Sequence, residues 1–341
     1  MSRLDFVPPM EAKLVSDLPG DEGWQFEPKW DGFRCIAVKQ GDAVELWAKS
    51  GKSLGRYFPE VLDFLSGMPS SRLMIDGELM VSIDGAPSFD ALQQRLHPAA
   101  SRVRKLALET PAKLIAFDIL HEGEFDWSAE PLAQRRAALE ALLAAAPSIA
   151  DLRLSPMTLD PETAREWFAE LSVELDGVIA KRRDGAYASG MRAMLKIKRT
   201  RTADCVVGGF RYLADRQEVG SLLLGLFNDT GALDHVGFTS GIFNEERPGL
   251  TKRLETLSGA PGFTGSAPGG PSRWSTGRSA EWTPLQHELV VEVRYDQITG
   301  NRFRHGTHLE RWRPDKAPQQ CTFDQLAKPI ASNSVIKNAI A

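Results

Sequence analysis

Residues Glu27 to Arg34 read EPKWDGFR. In an extended strand successive side chains alternate faces, so Glu27 and Lys29 project from the same side. Asp31 with Gly32 then forces a tight turn that carries Arg34 nearby, leaving one lysine beside a carboxylate and a guanidinium. An ordinary Asp-Gly turn with a solvated lysine gives the same local pattern, so the surroundings have to decide. Residues 24–48 alternate apolar and polar positions with Gly41 and Asp42 at a turn, which predicts a hairpin. Further strands are expected over 72–83 and 112–120.

Working outward, Pro131 to Ala146 is Ala- and Leu-rich and predicts a helix with Gln134, Arg135, Arg136 and Glu140 on its polar side. A second helix is expected from Pro161 to Leu175, opened by Pro and Glu. Past Arg201 the texture changes to shorter alternating runs, 203–212, 219–228, 233–240 and 287–296, with one helical stretch from Glu245 to Leu257. These runs suit a small closed barrel such as the OB-fold, a frequent binder of nucleic acid. The Gly-, Pro- and Ser-rich residues 259–280 predict a mobile loop between barrel strands. The expected organisation is therefore an α+β domain of antiparallel sheets and flanking helices over 1–201, an all-β OB-fold domain over 202–325, and a tail over 326–341.

The whole chain bounds the answer. At 341 residues it has room for two domains, and 42% apolar with 25% charged residues is ordinary for a soluble globular protein. Cys35, Cys205 and Cys321 are odd in number and far apart, so they build neither a disulfide framework nor a CxxC zinc site, and a reducing cytoplasm fits. The N-terminal residues lack the apolar run of a signal peptide, and no stretch approaches the ~20 apolar residues of a membrane span. A net charge of −4 looks wrong for a protein that grips a polyanion, but the cations are unevenly spread. They crowd 181–201 and again 294–316. Either crowd alone reads as a solvated face. His97, His121, His235, His287, His305 and His308 show no metal-ligand spacing and read as structural or surface residues.

Several later segments carry chemistry. In LKIK, Lys196 and Lys198 share one face of a strand, which is unfavourable unless an anion lies between them, although lysines also guard exposed strand edges. In MIDGELMV, Asp76 and Glu78 share a face, and neighbouring carboxylates are how proteins hold Mg²⁺ through one or two bonds plus water. LDGVIAKRRD adds Asp176 and Lys181, and IAFDIL puts Phe117 in an apolar strand, where a ring is more often core than a platform for a base.

Taken in order, EPKWDGFR, IDGE, AFD, DGVIAK, LKIK and RWRPDK resemble the motifs of the covalent nucleotidyltransferase superfamily, which holds the ATP-dependent DNA ligases, RNA ligases and messenger-RNA capping enzymes. The resemblance spans Glu27 to Lys316, and the ending RFRHGTHLERWRPDK with the two-domain length is similar to the small bacterial C-type ATP-dependent DNA ligases of repair. It implies Lys29 as the nucleophile that takes AMP from ATP. It implies Glu27 and Arg34 on adenine and ribose, Phe117 stacked on the base, Glu78 and Asp176 serving ribose and metal, and Lys181, Lys196 and Lys198 around the α-phosphate. Arg313, Asp315 and Lys316 would orient pyrophosphate from the barrel, which closes over ATP and then swings to DNA about a hinge near Arg201. Two positions depart from the pattern. Asp176 stands where most ligases carry Glu, so it reaches the metal from further back. In WAKSG, Ala48 and Lys49 replace a Ser-Arg pair, and Lys49 keeps the charge for a phosphate but loses the guanidinium fork.

The expected cofactors are ATP and Mg²⁺, with Mn²⁺ as a substitute. The expected partner is nicked double-stranded DNA, met by a monomer working beside a repair polymerase or primase-polymerase. Barrel residues Arg211, Tyr212, Arg302, Phe303, Arg304 and His305 would track the DNA backbone. An RNA ligase and a capping-type guanylyltransferase share the lysine chemistry and stay open. So does a non-catalytic nucleic-acid-binding protein that kept only the shape. An NAD-dependent ligase is disfavoured because the chain lacks cysteines for the zinc module of such enzymes.

Overall fold

The computed structural model describes residues 3–146, 151–169, 175–198, 201–269 and 281–326. They fall into two compact units that divide between 199 and 200. Of the expected features, the tail beyond Leu326, residues 170–174 of the second helix and residues 270–280 of the loop lie outside the described residues.

In the first unit β1 (Ala12–Leu14) leads to β2 (Trp24–Trp30), β3 (Phe33–Gln40) and β4 (Ala43–Ala48). Helix α1 (Pro59–Ser66) precedes the long β5 (Arg72–Ile83), then β6 (Ala86–Pro87), α2 (Phe89–Gln94), α3 (Ala100–Glu109), β7 (Ala112–Glu122) and β8 (Phe125–Asp126). The unit ends with α4 (Leu132–Ala144), β9 (Leu152–Leu154), α5 (Pro161–Ala169), β10 (Leu175–Arg182) and β11 (Met194–Lys198). These strands build two sheets, one ordered β1-β11-β10-β2 and the other β4-β3-β5-β7-β8 with β6 on β5 and β9 on β7.

The expected hairpin over 24–48 is half right. β3 and β4 pair across the Gly41-Asp42 turn, whereas β2 belongs to the other sheet and pairs with β10. The chain changes sheets at Asp31-Gly32. The Gly32 N–H donates to Glu78 Oε1 at 3.1 Å, and a Cβ there would overlap the Leu79 carbonyl, so only glycine passes this crossing.

β2 shows why the crossing matters. Phe26 is buried with Ala164, Trp167, Val178 and Ala180, so α5 covers the apolar face of the small sheet. Gln25, Glu27 and Lys29 occupy the opposite face, by the two-residue period of a strand. Because β2 lies at the sheet edge, Pro28 forfeits no interior ladder bond.

The helices correct two expectations. Arg135 and Arg136 of α4 are buried rather than on a solvated side. Arg135 forks onto Asp118 at 2.7 and 3.0 Å and caps the Glu130 and Gly185 carbonyls; Arg136 donates to the Ser155 carbonyl and pairs with Glu140. The stretch expected to stay helical to Leu175 is already strand β10 by that residue.

The second unit holds β12 (Arg201–Tyr212), β13 (Val219–Phe227), β14 (Leu233–Thr239), α6 (Arg247–Thr256), β15 (Thr283–Pro284), β16 (Val290–Tyr295), β17 (Ile298–Thr299), β18 (Arg302–Phe303) and β19 (His308–Trp312). Its main sheet runs β14-β13-β12-β16-β19, and a bridge from Thr239 to Thr307 brings the far edge toward β19, curling the sheet into a barrel-like layer. A core of Val206, Phe210, Leu222, Leu224, Val236 and Val291 fills it. The described part of the loop expected to be mobile is pinned instead. Phe263 is buried against His235 and Trp282, while the Gly265 and Ser266 N–H groups bond Leu233 and Asp234. No helix among the described residues is long and apolar enough to cross a membrane.

Candidate active site

A cleft opens in the first unit with walls drawn from both of its sheets, and its cavity holds about 190 Å³. Glu27 and Lys29 of β2, Lys181 of β10 and Lys196 of β11 line one wall; Arg34 of β3, Glu78 of β5 and Phe117 of β7 line the other. Lys49 and the N-terminal segment Pro9–Ala12 complete it. Every residue of the first unit expected at the nucleotide lines this cleft except Asp176 and Lys198, and those two are tied to it through Lys29.

Asp176 Oδ2 accepts from Lys29 Nζ at 2.6 Å and from Lys198 Nζ at 2.9 Å. The backbone makes this possible. β10 slips register against β2 between Leu175 and Gly177, so Asp176 is the extra residue of a bulge and its side chain is re-aimed. Gly177 has φ +154, and a Cβ there would overlap the Ile197 carbonyl, so the approach of β10 to β11 needs a glycine. Burial alone would raise the Asp176 carboxyl, but Lys29 and Lys198 outweigh it and hold the group below the usual carboxylate range. Burial, with Lys198, Lys29 and Lys49 adding repulsion, holds Lys196 below an ordinary lysine. Four lysines thus converge, an arrangement that fits a phosphate chain.

Lys181 is placed elsewhere than expected. Its Nζ lies 2.8 and 2.9 Å from the two oxygens of Glu27 and 4.5 Å from the Phe117 ring centroid, not with the lysines around Asp176. Gln25 Nε2 also donates to Glu27 Oε1 at 2.8 Å, and Gln25, Glu27 and Lys181 are all nearly inaccessible. A fixed carboxylate beside a fixed ammonium presents an acceptor and a donor, which matches the N6 amine and N1 of adenine; guanine carries the reverse pair.

Asp76 is not free to share a metal with Glu78. It takes Arg34 bidentately at 2.5 and 2.6 Å and the Tyr187 hydroxyl at 2.5 Å, and is wholly buried. Tyr187 in turn accepts from the Met10 N–H, and the Met10 carbonyl accepts from Arg34, so one network fixes the guanidinium 4.4 Å over Phe117. Glu78 is pushed up to about 7 by burial, against the pull of Arg34 and Lys29. Lys49 pairs with Glu11 at 2.9 Å, and that hydrogen bond holds the Glu11 carboxyl low.

In the second unit Arg313 and Lys316 meet on Asp204, at 2.8 and 2.7 Å, and Arg313 also pairs with Asp315 at 2.9 Å. Phe303, expected on a DNA-facing surface, is buried against Tyr295, so its ring is core. Arg302 is exposed and donates to His235 Nδ1 at 2.7 Å, which assigns that nitrogen as the acceptor.

Sequence reasoning missed Met10, Gln25, Tyr187 and Asp204. Gln25 shares the two-residue period of Glu27 and Lys29 and could have been found. The others are brought in from 24 to 177 residues away and leave no local signal.

Two mainly antiparallel sheets around a cation-rich cleft, followed by a smaller β unit, define the class: a nucleotidyltransferase-type ligase fold. Residues 9–198 match the family described as ATP dependent DNA ligase domain, and residues 215–316 match ATP dependent DNA ligase C terminal region. The chain is 44% identical to DNA ligase C2 of Mycolicibacterium smegmatis, with 96% of each chain covered, and 42% identical to DNA ligase C of Mycobacterium tuberculosis, with 95% and 94% covered. A solved structure named Pmar-Lig_Pre is similar in fold, with a TM-score of 0.60 at 18% identity, 89% of this chain and 68% of that one covered. The chain belongs to the ATP-dependent DNA ligase family.

Proposed function

We propose that this enzyme seals nicks in duplex DNA through AMP carried on Lys29, in cytoplasmic DNA repair. The observation that carries the reading is the position of Lys29 Nζ, on the cleft wall and held by a carboxylate that it shares with Lys198. In the first step Nζ, as the free amine, bonds to the α-phosphorus of ATP. The bond from that phosphorus to the bridging oxygen breaks, pyrophosphate leaves, and Nζ gives up its proton. Lys196 and Lys198 neutralise the charge that gathers on the phosphate oxygens. Glu27 and Lys181 read the adenine edge, and Phe117 with Arg34 forms the floor beneath it.

A 5′-phosphate oxygen at the nick next displaces Lys29 from the α-phosphorus. The adjacent 3′-hydroxyl then attacks the 5′-phosphate, AMP departs, and the strand is closed. Arg313 and Lys316 act on pyrophosphate in the first step, with Asp315 holding Arg313 until it does so.

Among the described residues no group of three or more His, Cys, Asp or Glu side chains converges on one point. A divalent metal would therefore be held on Glu78 or Asp176 together with nucleotide oxygens, and hard carboxylate oxygens fit Mg²⁺ or Mn²⁺ in that manner. Bound there, it would supply charge neutralisation at the phosphates.

Offering labelled ATP and GTP separately, then nicked DNA and nicked RNA, tests the reading. The expected result is labelling by ATP alone and sealing of nicked DNA. Preferential labelling by GTP would make it a guanylyltransferase, and preferential sealing of nicked RNA an RNA ligase.

A further inference from the structure

Arg313 and Lys316 do not stand as open cations. Arg313 Nη1 donates to Asp204 Oδ1 at 2.8 Å and Lys316 Nζ to Asp204 Oδ2 at 2.7 Å, so one carboxylate bridges both. The remaining Arg313 donors, Nε and Nη2, lie 3.0 and 2.9 Å from the two oxygens of Asp315. Asp204 is itself locked in place. Its backbone N–H donates to Gln325 Oε1 at 2.8 Å, and its carbonyl accepts from Gln325 Nε2 at 3.1 Å. The carboxylate is largely enclosed, with the side chain 11% exposed, whereas Asp315 is 63% exposed. Two cations are thereby matched by two close carboxylates, one rigid and one loose, with Glu292 further off at 3.9 Å from Arg313 Nη1.

We propose that Asp204 is a positioning residue that stands in for a phosphate oxygen between Arg313 and Lys316. It holds the two cations at the separation an anion needs, and it competes with pyrophosphate so that the product is released instead of being retained. The proposal rests on the reading that Arg313 and Lys316 act on pyrophosphate. The physical ground is that a carboxylate shared by a guanidinium and an ammonium occupies donors and cancels charge that an incoming oxyanion would otherwise meet, which weakens net affinity. A merely structural Asp204 would lower every activity together. A placeholder makes the opposite prediction for one quantity, because its removal strengthens the hold on pyrophosphate.

The test uses the full chain as wild type, Asp204→Asn, Asp315→Asn and Arg313→Ala. AMP loading from ATP is followed against added inorganic pyrophosphate, and sealing of a pre-adenylated nick is measured separately, since it bypasses the first step. In Asp204→Asn the inhibition constant for pyrophosphate should fall by about 5-fold, the scale of one partly screened ion pair. Sealing of the pre-adenylated nick should stay within about 2-fold of wild type, a change under 0.5 kcal/mol. Asp315→Asn should move the inhibition constant the same way, and it alone decides if Asp204→Asn does not fold. An unchanged or raised constant in these variants, with Arg313→Ala weakening pyrophosphate inhibition as expected, overturns the proposal. If Arg313→Ala leaves pyrophosphate inhibition untouched, the role given to Arg313 and Lys316 fails first and the placeholder fails with it.

Discussion

Lys29 draws its meaning from side chains that lie far from it in sequence, and Asp176 is the first of them. A carboxylate held between two ammonium groups fixes both nitrogens in space, which orients Lys29 on the cleft wall; the proposed nucleophile is that amine once it has lost its proton. Glu78 supplies the residue-scale prediction. Its carboxyl is raised from 4.5 to about 7, so the folded state keeps a proton that the unfolded chain loses earlier. The associated stability is fully present below about 4.5 and is lost as pH rises toward 7, a difference of about 3 kcal/mol. Glu78→Gln should flatten the dependence of urea midpoint on pH across that window. The same slope in both proteins would refute the assignment. If Glu78 serves ribose and metal as proposed, AMP loading should also gain a limb near neutral pH that Glu78→Gln removes, because the ionised carboxylate is the form that would do so. Much at this scale was legible from strand periodicity alone: Glu27, Lys29 and Lys196 share the cleft because even spacing puts them on one face. Asp76 and Lys181 were misread because a period shows which face a charge takes and not which partner neutralises it.

At the scale of elements, two devices aim the site. The sheet crossing at Asp31-Gly32 sends β2 and β3 to opposite walls of the cleft, and the bulge at Asp176 turns a carboxylate onto a neighbouring strand. Periodicity over 72–83 and 112–120 was enough to predict β5 and most of β7. It could not predict the crossing, since an Asp-Gly pair closes a hairpin just as readily. Helix α4 was legible as a helix and wrong as to its faces: Arg135 spans from the helix to Asp118 of β7 and to the carbonyls near it. Replacing Arg135 with Leu should cost roughly 3–5 kcal/mol, because it strands a buried carboxylate. Thermal unfolding measures this, and a melting point within a degree of wild type would contradict it. Gly177→Ala, which has no room for its Cβ, should abolish AMP loading while leaving the second unit folded. Normal loading would show that the bulge does not aim Asp176.

At the scale of the whole molecule the net charge of −4 and the demand for a polyanionic substrate are reconciled by distribution. On the proposed reading the electrostatic footprint centres on exposed Arg302, because Arg294, Arg311, Arg313 and Lys316 each face a carboxylate of their own unit, and buried arginines such as Arg95 and Arg135 are spent on internal carboxylates and add nothing to it. Composition could not separate the two kinds. Binding to nicked duplex should therefore weaken steeply with salt, since each phosphate contact releases counterions, whereas AMP loading inside the cleft should change far less. Fluorescence anisotropy and a label-transfer assay over the same salt range would compare them, and equal sensitivity would count against the reading. The central claim is that one amine of this chain carries the nucleotide. Intact mass after incubation with ATP and Mg²⁺ tests it most directly: the wild type should gain the mass of one AMP moiety and Lys29→Ala should gain none. An equal gain in Lys29→Ala would contradict the account.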